Sequence, residues 1–255
     1  MPVDPPPTIW EFPPPARFHP GDDLVATGAD LEPGTILEAY RRGIFPMPIG
    51  GRRAPMAWFS PVRRGILRPR DLHVSRSLAR SVRRFEIRVD TACAEVIDAC
   101  ADPTRPSGWI DDQIREAYLW LHALGWVHSV ETWRDGRLVG GLYGVAIGGL
   151  FAGESMYHHE TDASKVALVG LARLLDDGHD RLIDTQWQTP HLASLGVGEV
   201  SRDEYLRLLT EVLPMPDLDI ERFRRDLRTP GGASTVHETG DETGDDTVDD
   251  GVTDR

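Results

Sequence analysis

The stretch Val127-His-Ser-Val-Glu-Thr-Trp133, Asp135-Gly136, Leu138-Val-Gly-Gly-Leu-Tyr-Gly-Val-Ala146, Gly148-Gly149 and Leu150-Phe-Ala-Gly-Glu-Ser-Met-Tyr157 decides the fold. Before it, apolar residues recur at three and four; here they alternate, with Asp-Gly and Gly-Gly at the reversals, which predicts a three-stranded antiparallel meander. After it, Thr161 or Asp162 caps a helix through Val166, Val169 and Leu174 that ends at Gly178. Arg181 to Gln186 then returns to a strand, so the class is α/β (α+β) with a mixed, mostly antiparallel sheet.

Upstream, Asp111 to Leu124 carries Ile114, Ala117, Tyr118 and Leu121 on one helical face and ends at Gly125. Thr91 to Ala101 places Val96, Ile97 and Cys100 on one side of a second helix, and Arg76 to Arg84 continues a third from Ser75. Pro33-Gly34-Thr35 opens a short helix through Ile36, Leu37 and Tyr40 that stops near Gly43. A chain of 255 residues suits about two domains. The expected division is 1–61, a proline-rich arm laid over the surface and a small N-terminal domain; 62–229, the main domain; and 230–255, a disordered acidic tail.

Charge separates these parts. The net charge is −13, but the last 26 residues hold eight acids against Arg255 alone, a net −7. Pro61 to Asp90 holds nine arginines against three acids, a net +6, in a protein whose only lysine is Lys165. Arg76, Arg80, Arg83 and Arg84 share much of one helix side, and a guanidinium fork suits phosphate, so this island points to RNA as readily as to a solvated face. No window approaches the roughly 18 apolar residues of a membrane helix, and Met1 to Pro20 lacks a signal peptide's basic start and apolar stretch. A cytoplasmic protein with no membrane partner is expected. Cys93 and Cys100 form no CxxC pair, so free buried thiols are expected rather than a metal site.

Several motifs carry chemistry. Asp184 and Gln186 lie two apart on a strand, which puts both side chains on one face, where a carboxylate and a carboxamide can order an amine or simply satisfy each other. Glu154-Ser155-Met156-Tyr157-His158-His159-Glu160-Thr161-Asp162 connects the meander to the helix with three further carboxylates and no glycine. A CoA pyrophosphate, which needs backbone amides, is poorly served there; a cationic substrate, or a solvated capping loop, suits the acids. Gly153-Glu154-Ser155 lacks the closing glycine of a nucleophile elbow, and His158, His159 and His191 lack helical metal spacing. Trp109 precedes a polar helix start, where an indole covers a base or a core edge.

Taken together, many ordered segments resemble one family, the bacterial leucyl/phenylalanyl-tRNA–protein transferases. They are Leu24-Val-Ala-Thr-Gly-Ala-Asp-Leu31, Tyr40-Arg-Arg-Gly-Ile-Phe-Pro46, Trp58-Phe-Ser-Pro61, His73-Val-Ser-Arg-Ser77 and Gly108-Trp-Ile110. His128-Ser-Val-Glu-Thr-Trp133, Leu138-Val-Gly-Gly-Leu-Tyr-Gly-Val145, Phe151-Ala-Gly-Glu-Ser-Met156, Ala163-Ser-Lys165, Leu182-Ile-Asp-Thr-Gln186 and His191-Leu-Ala-Ser-Leu-Gly196 continue the match, which runs from about Leu24 to Leu213.

The resemblance implies transfer of leucine, phenylalanine or less readily methionine from aminoacyl-tRNA to an N-terminal arginine or lysine of a protein, marking it for degradation. It implies a small N-terminal domain, an acetyltransferase-like (GNAT-type) C-terminal domain, a cytoplasmic monomer and no cofactor or metal. Residue by residue, Asp184 and Gln186 match the catalytic pair. Glu154, with Ser155 and Met156, matches the aminoacyl and acceptor pocket, which Leu142, Leu168, Leu171, Leu175 and Ile183 are expected to line with apolar groups. Arg76, Arg80, Arg83 and Arg84 fall where the family holds the acceptor stem, and Trp109 where it meets the terminal adenosine. Met47 stands where well-known members place a second tryptophan, and the tail beyond Pro230 is outside the pattern. Gln186 is too weak a base to relay a proton and is expected to orient the amine, while Asp184 fixes Gln186 or stabilises a cation. A CoA-dependent acyltransferase and a non-catalytic tRNA-acceptor binding module are the alternatives.

Overall fold

A computed structural model describes residues 1–49, 54–105 and 109–228. The expected disordered tail at 230–255 and Gly108 of the Gly-Trp-Ile motif lie outside the described residues.

Leu24–Thr27 (β1), Pro33–Arg41 (α1), Phe45–Met47 (β2) and Ala57–Phe59 (β3) form the first unit, an antiparallel sheet in the order β1-β3-β2. Pro33 supplies the preset φ of a first helical turn, and Gly43 at φ +73° reverses the chain after α1. The proline-rich arm does more than cover the surface: Phe12 and Phe18 are buried, and Phe12 meets Trp58 edge-on with centroids 4.9 Å apart. Apolar anchors of this kind hold an extended segment that has no ladder of its own.

The rest of the chain continues through Arg63–Leu67 (β4), Arg76–Val82 (α2), Glu86–Val89 (β5), Cys93–Cys100 (α3), Asp112–Ala123 (α4) and Val127–Arg134 (β6). Arg137–Ile147 (β7), Leu150–His158 (β8), Ala163–Leu175 (α5), Leu182–Gln186 (β9), Pro190–Ala193 (α6), Gly198–Ser201 (β10), Arg202–Val212 (α7) and Ile220–Arg228 (α8) follow. Among the described residues, seven strands form one mixed sheet in the order β10-β4-β9-β8-β7-β6-β5, antiparallel throughout except where β8 and β9 run parallel. The meander, the crossover helix and the returning strand are therefore as the alternating pattern predicts. A mixed α/β architecture with a small N-terminal unit and a larger C-terminal one results.

Both faces of the large sheet are covered. Val96, Ile97, Ile114 and Tyr118 from α3 and α4 share one core with Ile36, Tyr40 and Trp58 of the first unit. On the other face Val166, Leu168, Leu171 and Leu175 of α5 pack with Phe151 and Ile183. Each such side chain contributes about 1.5–3 kcal/mol on burial. The close seating of α5 depends on Gly140, where a Cβ would stand 2.5 Å from that of Ala163.

Two local expectations change. Glu154 to His158 belongs to β8, so the connection to α5 is only His159 to Asp162. Asp162 precedes α5 in a left-handed conformation, φ +69°, and its carboxylate accepts from Ser81 Oγ (2.9 Å) and Lys165 Nζ (3.0 Å) rather than from the helix amides. Cys93 and Cys100 are free and buried.

Candidate active site

The site begins with an irregularity in β8. Opposite the step Tyr143 to Gly144 of β7, β8 spends three residues, pairing Ser155 with Tyr143 and Gly153 with Gly144. Glu154 is the inserted residue, and a bulge re-aims the side chain it inserts. The parallel pairing of β8 with β9 ends at Ala152 and Asp184, so the strands part just where the bulge begins. A cavity of about 240 Å³ occupies the gap. Leu142, Met156, Leu168, Leu171 and Ile183 line it, with Glu154, Ser155, Gln186 and His191 among its polar groups.

Glu154 meets two tyrosines from elements far away in sequence. Tyr40 of α1 donates to its Oε1 at 2.6 Å and Tyr118 of α4 to its Oε2 at 3.0 Å, while the two hydroxyls lie 2.7 Å apart. Gln186 Nε2 donates to Oε1 at 3.4 Å. Burial pushes the Glu154 carboxyl up to about 7, the tyrosine hydrogen bonds oppose that rise, and the nearby Asp184 carboxylate adds to it.

Asp184 and Gln186 do not share a face. Gln186 has φ +58°, and β9 shifts register against β4 at this point, pairing Gln186 with Gly65 and Asp184 with Ile66. This breaks the period-two alternation, so Ile183, Thr185 and Gln186 line the cavity while Asp184 turns away from it. Asp184 is fully buried. Its carboxylate accepts from Arg64 Nε (2.7 Å) and Nη2 (2.5 Å), from Tyr205 Oη (2.9 Å) and from the backbone N–H of Gln186 (2.9 Å). It therefore holds the backbone of Gln186, and the cation it stabilises is Arg64. Burial alone would pull the Arg64 guanidinium down; Asp184 beside it more than compensates and holds it above its ordinary value.

The remaining predicted residues separate into groups. Leu175 is buried in the α5 core and does not reach the cavity wall formed by the other five apolar residues. Trp109 and Met47 pack half-buried against the core shared by the two units, and neither lines the cavity. Arg76, Arg80, Arg83 and Arg84 are exposed on or just beyond α2, with Ser75 Oγ capping its start at Leu78 N (3.2 Å). The basic island is smaller than its composition implies, because Arg64 is buried and Arg68 and Arg70 both pair with Asp180. Sequence reasoning missed four side chains bonded to Glu154 or Asp184: Arg64, counted as surface charge; Tyr118, counted as an apolar helix position; Tyr40; and Tyr205. The signal for the tyrosines was a phenol on a core face, whose hydroxyl needs a partner once buried.

Residues 66–210 match the family described as leucyl/phenylalanyl-tRNA protein transferase, and residues 29–62 match that family's N-terminal domain. Proteins named leucyl/phenylalanyl-tRNA–protein transferase from Azoarcus sp. (strain BH72) and Aromatoleum aromaticum are 50% and 51% identical over 199 and 200 residues, covering 76% of this chain and 84% of theirs. One from Thiobacillus denitrificans is 49% identical over 199 residues, covering 76% of this chain and 86% of its own. Tyr40 falls in the first matched segment, and Tyr118, Glu154, Asp184, Gln186 and Tyr205 fall in the second. By these matches, which take in the cavity and its polar ring, the chain belongs to the leucyl/phenylalanyl-tRNA protein transferase family.

Proposed function

We infer that this enzyme is an aminoacyltransferase that moves leucine, phenylalanine and, less readily, methionine from aminoacyl-tRNA to the N-terminal arginine or lysine of acceptor proteins. The product is marked for N-degron degradation. The enzyme works as a cytoplasmic monomer and needs no cofactor. The observation that carries this reading is the pairing of an apolar cavity with a carboxylate and a carboxamide at one wall.

Leu142, Met156, Leu168, Leu171 and Ile183 receive the transferred side chain. A thioether and aliphatic walls accept unbranched and aromatic guests, and charged ones lose their hydration there without return. Gln186 orients the acceptor amine beside Glu154, and Asp184 holds Gln186 in place through its backbone. The exposed arginines on and just beyond α2 hold the acceptor stem, and Trp109 and Met47 serve the terminal adenosine. Positioning supplies much of the rate, since the aminoacyl ester is already activated and well-oriented reactants gain on the order of 7–11 kcal/mol. Residues 62–229 form the catalytic domain, to which the small domain, 1–61, contributes Tyr40.

The experiment is transfer of labelled leucine from charged tRNA to a peptide beginning with arginine, beside the same peptide beginning with alanine. Transfer to the first alone supports the reading, and transfer to neither overturns it.

A further inference from the structure

The oxygens of Glu154, Tyr40 and Tyr118 approach one another at 2.6, 3.0 and 2.7 Å. Three hydrogen bonds need three protons, and two phenols supply two. With the carboxylate ionised, both hydroxyls donate to it and face each other with no hydrogen between them. With the carboxyl protonated, donors and acceptors close into a complete ring. The cluster thus has a place for one additional proton.

That place opens on the cavity. Glu154 lines its wall, and Gln186 Nε2 reaches Oε1 from the same wall, so an amine oriented by Gln186 lies beside that oxygen. Asp184 offers no comparable oxygen. A carboxylate has about four lone-pair sites, and four protein donors already occupy those of Asp184, away from the cavity.

We propose that Glu154 is the proton carrier of aminoacyl transfer, taking a proton from the acceptor's α-amine and returning it to the departing ribose oxygen. The proposal rests on the transferase reading above and specifies what Glu154 does in it. The acceptor reacts with its α-amine neutral. The nitrogen lone pair attacks the ester carbonyl carbon, and as the C–N bond forms one N–H proton passes to Glu154 Oε1. The C–O bond to the tRNA ribose then breaks, its electron pair leaves on the ribose oxygen, and that oxygen takes the proton from Glu154. The carboxylate is restored and nothing further is consumed. Tyr40 and Tyr118 are positioning residues that shift their hydrogen bonds as the proton arrives and leaves.

The surroundings suit both steps. Tyr40 faces Glu154 from α1, Tyr118 from α4, and Asp184 and Arg64 act on it from β9 and β4. Tyr143 of β7 senses the Glu154 charge, and His191 is the other titratable group on the cavity wall. Burial among these groups brings the carboxyl to about 7, and a group that both accepts and donates works best near the operating pH.

The test uses the full chain, leucyl-tRNA and an arginine-initiated peptide at saturation. Glu154→Gln keeps the ring, because its amide N–H donates where the protonated carboxyl would, but it cannot accept the proton. The expected result is a fall of at least about 100-fold in kcat with acceptor KM little changed and melting temperature retained. Tyr118→Phe removes a hydrogen bond that favours the ionised carboxyl, so the acidic limb of the kcat–pH profile moves to higher pH. If E154Q keeps the wild-type kcat and instead raises acceptor KM, Glu154 binds the acceptor's side-chain cation and the proposal is overturned. An unmoved limb in Y118F also counts against it. If the wild type transfers to no peptide, the transferase reading fails first and takes the proposal with it.

Discussion

The guanidinium of Arg64 grips the carboxylate of Asp184 with two hydrogen bonds, and the two side chains are 1% and 0% exposed. A pair this deep is worth little against an apolar pair of the same size, but breaking it by removing one partner leaves an uncompensated buried charge. Arg64→Ala is therefore expected to cost about 3–5 kcal/mol, read from denaturant midpoints. Asp184→Ala should cost a similar amount, so its loss of transfer must be compared with its loss of fold. An R64A protein as stable as wild type would contradict the buried pair.

Gln186 separates backbone from side chain. Glycine takes φ +58° without strain, so Gln186→Gly should keep the wild-type melting temperature while transfer falls about 10–100-fold if the carboxamide orients the amine as proposed. Gln186→Val, β-branched at the same φ, should lose about 1–3 kcal/mol as well. Equal melting temperatures for the two variants would show that the left-handed conformation is not needed.

The raised carboxyl of Glu154 makes stability depend on pH in a defined direction. Its folded value of about 7 lies above the ordinary 4.5, so the folded protein holds this proton more tightly than the unfolded chain. Wild-type stability from this group is fully present below about 4.5, falls as pH rises, and levels off above about 7. Glu154→Gln does not titrate. It should melt close to wild type at low pH and a few degrees higher at pH 8, roughly 2–4 °C for each kcal/mol relieved. A difference that does not change with pH would rule out the raised carboxyl.

The arginines on and just beyond α2 should act through phosphate. Changing Arg76, Arg80, Arg83 or Arg84 to glutamine should weaken tRNA binding and lower the slope of log affinity against log salt by about 0.7–0.9 for each phosphate no longer neutralised. The transferred residue should matter little to that slope. Filter binding over a salt series measures it, and unchanged slopes would place the acceptor stem elsewhere.

How much of this was legible in the sequence depends on how local the cause is. Val130, Leu142 and Phe151 stand in strands of 8, 11 and 9 residues whose turns carry Asp-Gly or Gly-Gly, so length and punctuation agree. Gln186 defeats the same reasoning because a positive φ in a residue that rarely adopts one leaves no mark in composition. Glu154 as an inserted residue is equally silent, since a bulge is a property of two strands. Arg64 looks like Arg63 beside it; only the fold sends one inward and leaves the other exposed. The strands β4, β5 and β10 have only 4 or 5 residues each, too few to show a period, and their pairing is set by distant partners. Leu175 illustrates the opposite error: an apolar face on α5 is correctly read, but which of its residues borders a cavity depends on where β8 and β9 part.

The separations along the chain have a consequence for biosynthesis. Tyr40 reaches Glu154 across 114 residues, Arg64 reaches Asp184 across 120, and Tyr205 closes the cluster from a helix that follows all the strands of the sheet. No fragment that stops short of α7 contains the full set, and pairings this distant bear the entropy of closing long loops. An emerging polypeptide therefore carries its arginine helix long before it carries a working site, and chemistry begins only once the last partner has left the ribosome.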